Sequence, residues 1–138
     1  AVLVSQKEVA ERATANPGNM SLLSITTQFY WEACLGPLVP AELFTPPPKV
    51  DSQILILQRR AQQLFPDEEP KDFFRLVKAG FSQKRKTLLN SLSAGLNLDK
   101  SRTLALLETA GLAPTLRPQN LGLSDWHSLL RAQAAANR

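Results

Sequence analysis

Residues 44–52, Phe-Thr-Pro-Pro-Pro-Lys-Val-Asp-Ser, put one aromatic ring at the head of three successive prolines. Proline fixes φ, supplies no backbone N–H donor, and pushes the residue before it out of the helical region. The stretch therefore reads as a stiff extended rod. A ring carried on such a rod can offer one face to a flat substrate, and unstacked nucleobases dock on faces of this kind. The same residues also suit a rigid connector with Phe44 tucked into the core, and composition leaves both readings open. Asp51 and Ser52 stand at the start of a strand and read as turn-capping groups.

Lys84-Arg85-Lys86 is the densest cationic cluster, flanked by apolar Phe81, Leu88, Leu89 and Leu92. The pattern predicts a helix from Lys84 to Leu96 with the three cations in its first turn. Cations there oppose the helix dipole. A phosphate at that end would turn the cost into a gain, because free N–H groups and cations would then face one anion. A solvated basic turn is the plain alternative. Lys49, Lys78 and Arg117 are further cations of the same kind.

Elsewhere the chain offers little chemistry. His127 and Cys34 are the sole residues of their types and sit in no nucleophile motif. Glu8 and Glu11, three apart on a helix, read as a solvated face. No His, Cys and carboxylate group has metal-ligand spacing. Trp31 and Trp126 read as core or interface anchors. No catalytic side chain is assigned.

The 138 residues suit one domain, or part of one plus a small second domain. A single cysteine excludes an intrachain disulfide and fits a reducing, cytoplasmic setting. No apolar run approaches the roughly 20 residues that span a bilayer. Charge is unevenly placed: residues 1–70 carry a net −3 and residues 71–138 a net +7. A polyanion would bind the second half.

Val2-Leu-Val4 reads as a buried strand and Lys7 to Ala15 as a helix, broken by Asn16-Pro-Gly-Asn. Ser21 or Ser24 could cap a second helix through Tyr30. Trp31 to Val39 fits a strand with an edge or bulge at Gly36-Pro37. In Gln53-Ile-Leu-Ile-Leu-Gln-Arg both alternating faces are apolar, which implies a strand inside a sheet. Residues 61–70 read as a polar, proline-bounded hinge. Beyond it come helices: one from Lys71 to Phe81 led by Pro70, the basic helix, one capped by Asp99 and closed by Gly111, and a last one capped by Ser124. The expected architecture is an α/β remnant, residues 1–62, followed by a small all-α domain, residues 63–138.

The Phe44 string resembles the post-strand loop of the ribosomal RNA adenine dimethyltransferase family. The likeness extends along the chain in order. Val4-Ser-Gln-Lys-Glu-Val-Ala-Glu-Arg12 looks like the end of that family's fifth core strand and the helix after it. Phe81-Ser-Gln-Lys-Arg-Lys-Thr-Leu-Leu-Asn-Ser-Leu92 is similar to its basic carboxy-terminal helix, and Arg117-Pro-Gln-Asn-Leu-Gly-Leu-Ser-Asp-Trp126 to its last turn and helix. The resemblance implies the last strands and helices of a Rossmann-like methyltransferase sheet. It implies methyl transfer from S-adenosylmethionine to two adjacent adenosines of small-subunit rRNA, within a pre-30S-type particle. Phe44 then lines the adenine pocket, and Lys49, Lys78, Lys84, Arg85, Lys86 and Arg117 contact the RNA backbone. The family's glycine-rich cofactor loop and its Asn-Leu-Pro-Tyr-like motif are expected before residue 1, and Asn120-Leu-Gly-Leu123 lacks the proline and aromatic of the latter. On this reading the chain starts inside a domain, is inactive alone, and self-associates through an exposed sheet edge. A non-catalytic RNA- or ribosome-binding module and a large-subunit rRNA methylase are the rivals.

Overall fold

The computed structural model describes residues 1–137. It divides into two compact units: Ala1–Ala15 with Leu23–Leu64, and Asn16–Leu22 with the chain from Phe65 onward. The division read from the sequence at 62/63 falls two residues before this one and lacks the excursion of residues 16–22.

The first unit is built on three antiparallel strands, β1 (Val2–Gln6), β2 (Trp31–Val39) and β3 (Ser52–Arg59), in the order β1-β3-β2. β3 is central, which is where apolar side chains on both faces belong. On one face Leu55 and Leu57 pack with Ala10 and Ala13 of α1 (Lys7–Ala13), and Trp31 and Ala33 flank them. Ser24 and Gln28 of α2 (Leu22–Tyr30) tie that helix to the end of α1. The Ser24 hydroxyl donates to the Arg12 carbonyl at 2.6 Å, and the Gln28 amide donates to the Ala13 and Ala15 carbonyls at 3.1 and 2.9 Å. Ser24 is thus an interior cross-link, and of the two cap candidates it is Ser21 that stands directly before the helix.

The other sheet face is open. Val2↔Ile56 and Val4↔Ile54 are paired across it, and Val2, Val4 and Ile56 are 67%, 60% and 38% exposed. The expectation of a buried first strand is corrected here: β1 is an edge strand with its apolar side chains in solvent. β2 carries the expected irregularity. Its pairing steps from Leu35↔Leu55 to Leu38↔Gln53, one extra residue at Gly36-Pro37. Gly36 is required there, since a Cβ would lie 2.8 Å from Ile54 Cγ2.

The second unit is four helices, α3 (Pro70–Gly80), α4 (Leu88–Leu96), α5 (Lys100–Ala110) and α6 (Leu123–Ala136). Pro70 opens α3, where its missing N–H costs nothing, and Asp72 sits in the first turn. The Asp99 carboxylate accepts the Arg102 N–H at 2.8 Å to start α5, and Gly111 closes it at φ 75°. Ser124 lies inside α6. The cap residue is Gly122, whose N–H donates to Asp125 Oδ2 at 2.9 Å. Phe73, Leu88, Leu92, Leu107 and Trp126 are fully enclosed between the helices. The excursion joins this core through Met20, and the Gly18 and Met20 N–H groups donate to the Gln119 carbonyl at 2.9 and 3.1 Å. Part of the expected hinge also belongs here. Phe65 stacks on His127 with ring centroids 4.1 Å apart, and His127 Nε2 lies 3.4 Å from the Glu68 carboxylate.

Candidate functional site

The loop between β2 and β3 is fixed at both ends. A single 3₁₀ turn, Ala41–Leu43, follows Pro40, and the Phe44 N–H donates to the Ala41 carbonyl at 3.1 Å. From the far end Asp51 reaches back, and its Oδ1 accepts the Ala41 N–H at 2.8 Å. The Asp51 carbonyl accepts the Lys7 N–H at 3.0 Å, so the same residue joins the loop to the start of α1. Asp51 is the turn-closing group its type suggested. The Thr45–Pro46 peptide is cis.

Phe44 is 37% exposed. It is not sealed in the core, and its backbone is tied to Ala41. Leu43 and Val50 of the same loop are 70% and 48% exposed, giving the loop an apolar surface. Lys49 is exposed on the same loop.

In the helical unit the basic cluster is not where the pattern put it. α4 begins at Leu88, and Lys84, Arg85 and Lys86 occupy the turn before it, all exposed. Thr87 is the cap, with Oγ1 accepting the Asn90 N–H at 3.4 Å. Two facts explain the shift. Threonine is a good cap, and three cations in a first turn would work against the dipole.

The helix end itself offers an anion little. The Leu88 N–H donates to the Leu116 carbonyl at 2.6 Å and the Leu89 N–H to the Pro114 carbonyl at 3.4 Å. With Asn90 bonded to Thr87, the N–H groups expected to face a phosphate are already used. An anion at this end finds the Leu88, Leu89 and Asn90 N–H groups already taken. Among the described residues none of Lys84, Arg85 and Lys86 is ion-paired. The Leu116–Leu88 bond also brings exposed Arg117 to the same end of α4. Lys78 is exposed in the last turn of α3.

Of the remaining candidates, Trp126 is fully buried and Trp31 carries the Arg59 guanidinium 5.6 Å above its ring. Glu11 pairs with Lys7 at 3.6 Å on the solvated face of α1. Cys34 is exposed on β2. No helix among the described residues is long and apolar enough to cross a membrane.

The chain thus carries a small antiparallel sheet with a braced loop headed by an exposed aromatic, and helices with an exposed basic turn. The family model for ribosomal RNA adenine dimethylase matches residues 1–133, and the chain belongs to that family. Ribosomal RNA small subunit methyltransferase A of Dehalococcoides mccartyi is 41% identical over 128 residues, 93% of this chain and 44% of the relative. The protein of that name from Moorella thermoacetica is 39% identical over 132 residues, 94% of this chain and 46% of its own length. The chain thus spans less than half the length of these curated relatives. Among solved structures, a dimethyladenosine transferase from Plasmodium falciparum superposes with a TM-score of 0.77 at 29% identity, over 99% of this chain and 57% of that one. The 23S rRNA methyltransferase ErmE gives a TM-score of 0.70 at 28% identity, over 96% and 53%.

Proposed function

We propose that this chain is the carboxy-terminal part of an rRNA adenine N6,N6-dimethyltransferase whose methyl donor is S-adenosylmethionine. The target is two adjacent adenosines of small-subunit rRNA in a cytoplasmic pre-30S-type particle. The observation that carries the reading is the family match across residues 1–133. The 41% and 39% identities to relatives named as small-subunit enzymes support the small-subunit target.

In this reading Phe44 is one wall of the pocket for an adenine taken out of its stack. Stacking on such a ring is worth roughly 1–3 kcal/mol per base. The exocyclic amine is a poor nucleophile because its lone pair is delocalised into the ring. Holding it in line and dry therefore matters more than proton abstraction. The contribution of this chain is to hold the base, and no side chain of it is assigned a catalytic role. Lys84, Arg85, Lys86 and Arg117 grip the phosphate backbone at the end of α4, with Lys78 and Lys49 as outlying contacts. Such contacts position the substrate without reading its sequence.

The reading places the donor site outside this chain. In support, none of the six glycines stands between a strand and a helix, the position from which a glycine-rich loop cradles a nucleotide cofactor. S-adenosylmethionine supplies the methyl group from there, and the chain alone is inactive. Alone, it self-associates through the sheet, by its exposed β1 edge and the open face at Val2, Val4 and Ile56.

The test is to incubate the 138-residue chain with labelled S-adenosylmethionine and unmethylated small-subunit particles, and to measure binding to both ribosomal subunits. Saturable binding that favours the small subunit, with no label transferred, is expected. Label transfer by the chain alone would overturn the placement of the donor site. Equal binding to both subunits would overturn the target.

A further inference from the structure

In the Phe44 loop the Asp51 side chain bonds to the same residue that holds the Phe44 backbone. Asp51 Oδ1 accepts the Ala41 N–H at 2.8 Å, and the carbonyl of that same Ala41 accepts the Phe44 N–H at 3.1 Å. Two successive hydrogen bonds therefore run from the Asp51 carboxylate to the backbone of Phe44. The Asp51 carbonyl holds the Lys7 N–H at 3.0 Å, which anchors this relay to the first residue of α1. Between the two ends lie prolines 46, 47 and 48, which stiffen the loop but donate no backbone hydrogen bond. Without the carboxylate the Phe44 end keeps its turn bond to Ala41 but loses the side-chain tie to Asp51.

We infer that Asp51 is the positioning residue of the base platform: its carboxylate, by holding Ala41, sets where the Phe44 ring stands. This deepens the proposed function and rests on Phe44 being the base-stacking residue. The carboxylate acts as a hydrogen-bond acceptor and not as a charge, so an amide oxygen in its place is enough. Asp51→Asn keeps that acceptor, whereas Asp51→Ala removes it.

The test uses a single-stranded RNA with two adjacent adenosines, one replaced by fluorescent 2-aminopurine, titrated with the whole chain. Wild type and Asp51→Asn give the same base-stacking signal. Asp51→Ala and Phe44→Ala each lose it, with base-dependent affinity down about fivefold or more, the lower end of what one stacked base contributes. The salt dependence, which reports phosphate contacts, is unchanged in all three. A general loss of structure would move both readouts.

If Asp51→Ala loses its circular dichroism spectrum, the decision passes to Ala41→Pro. That variant deletes the donor while keeping the carbonyl, and Pro40 at ψ 143° already suits a following proline. It is expected to lose the signal as well. Wild-type stacking in the folded Asp51→Ala or in Ala41→Pro, or an Asp51→Asn variant as weak as Asp51→Ala, overturns the inference. A silent Phe44→Ala overturns the base-platform reading instead.

Discussion

Gly80 lies so close beneath the Trp126 indole that a Cβ on it would collide with Cη2 and Cζ3 of the ring. α3 and α6 meet through this absent side chain, and Trp126 is fully buried as a result. Gly80→Ala is expected to destabilise the helical unit by about 1–3 kcal/mol, the usual cost of overfilling a packed core. Urea unfolding followed by tryptophan fluorescence measures it. A midpoint equal to wild type would show that the ring has room to move.

The basic turn is predicted to act through charge alone. Lys84, Arg85 and Lys86 are exposed, so the triple alanine variant keeps the wild-type unfolding midpoint. On a single strand, its slope of log affinity against log salt falls by roughly 0.7 for each phosphate left without its cation, about 2 in total. An unchanged slope would remove these residues from the RNA contact.

The α4 cap gives a separate prediction. Because Thr87 Oγ1 accepts the Asn90 N–H at a long 3.4 Å, Thr87→Ala is expected to cost about 0.5–1 kcal/mol, the lower part of the range for caps. The same unfolding measurement reads it. A loss above about 2 kcal/mol would mean that the cap does more than one weak hydrogen bond can.

The open sheet face predicts association. Ile56 is 38% exposed at the centre of that face, between Val2 on one side and Cys34 on the other. Sedimentation of the 138-residue chain should show species heavier than a monomer, and Ile56→Lys should shift them to monomer without loss of fold. A wild-type chain that sediments only as a monomer contradicts the proposed self-association.

These sites are not equally legible in the sequence. β3 declares itself through apolar residues on both faces, and the Gly36-Pro37 bulge through its two residue types. Asp99 and Gly111 mark the ends of α5 because their chemistry is local. The start of α4 lies four residues beyond its expected place, at Leu88 and not Lys84, because apolar periodicity continues back through Phe81 and hides the Thr87 cap. Ser24 and Ser124 look like caps, but tertiary geometry takes the Ser24 hydroxyl to Arg12, and Asp125 serves Gly122 in place of Ser124. The burial of β1 cannot be read from its residues, since Val2-Leu-Val4 would look the same under a neighbouring layer. The spent N–H groups at Leu88 and Leu89 depend on the carbonyls of Leu116 and Pro114, more than 20 residues away, and no local pattern announces them.

The central claim is that the Phe44 ring meets an unstacked adenine. A photoreactive benzoylphenylalanine placed at position 44, in the chain bound to unmethylated small-subunit rRNA, tests it most directly. Crosslinks mapped by primer extension should fall on two adjacent adenosines, and free adenosine-rich RNA should compete them away. Crosslinks to protein only, or scattered along the rRNA with no adjacent-adenosine maximum, would contradict the account.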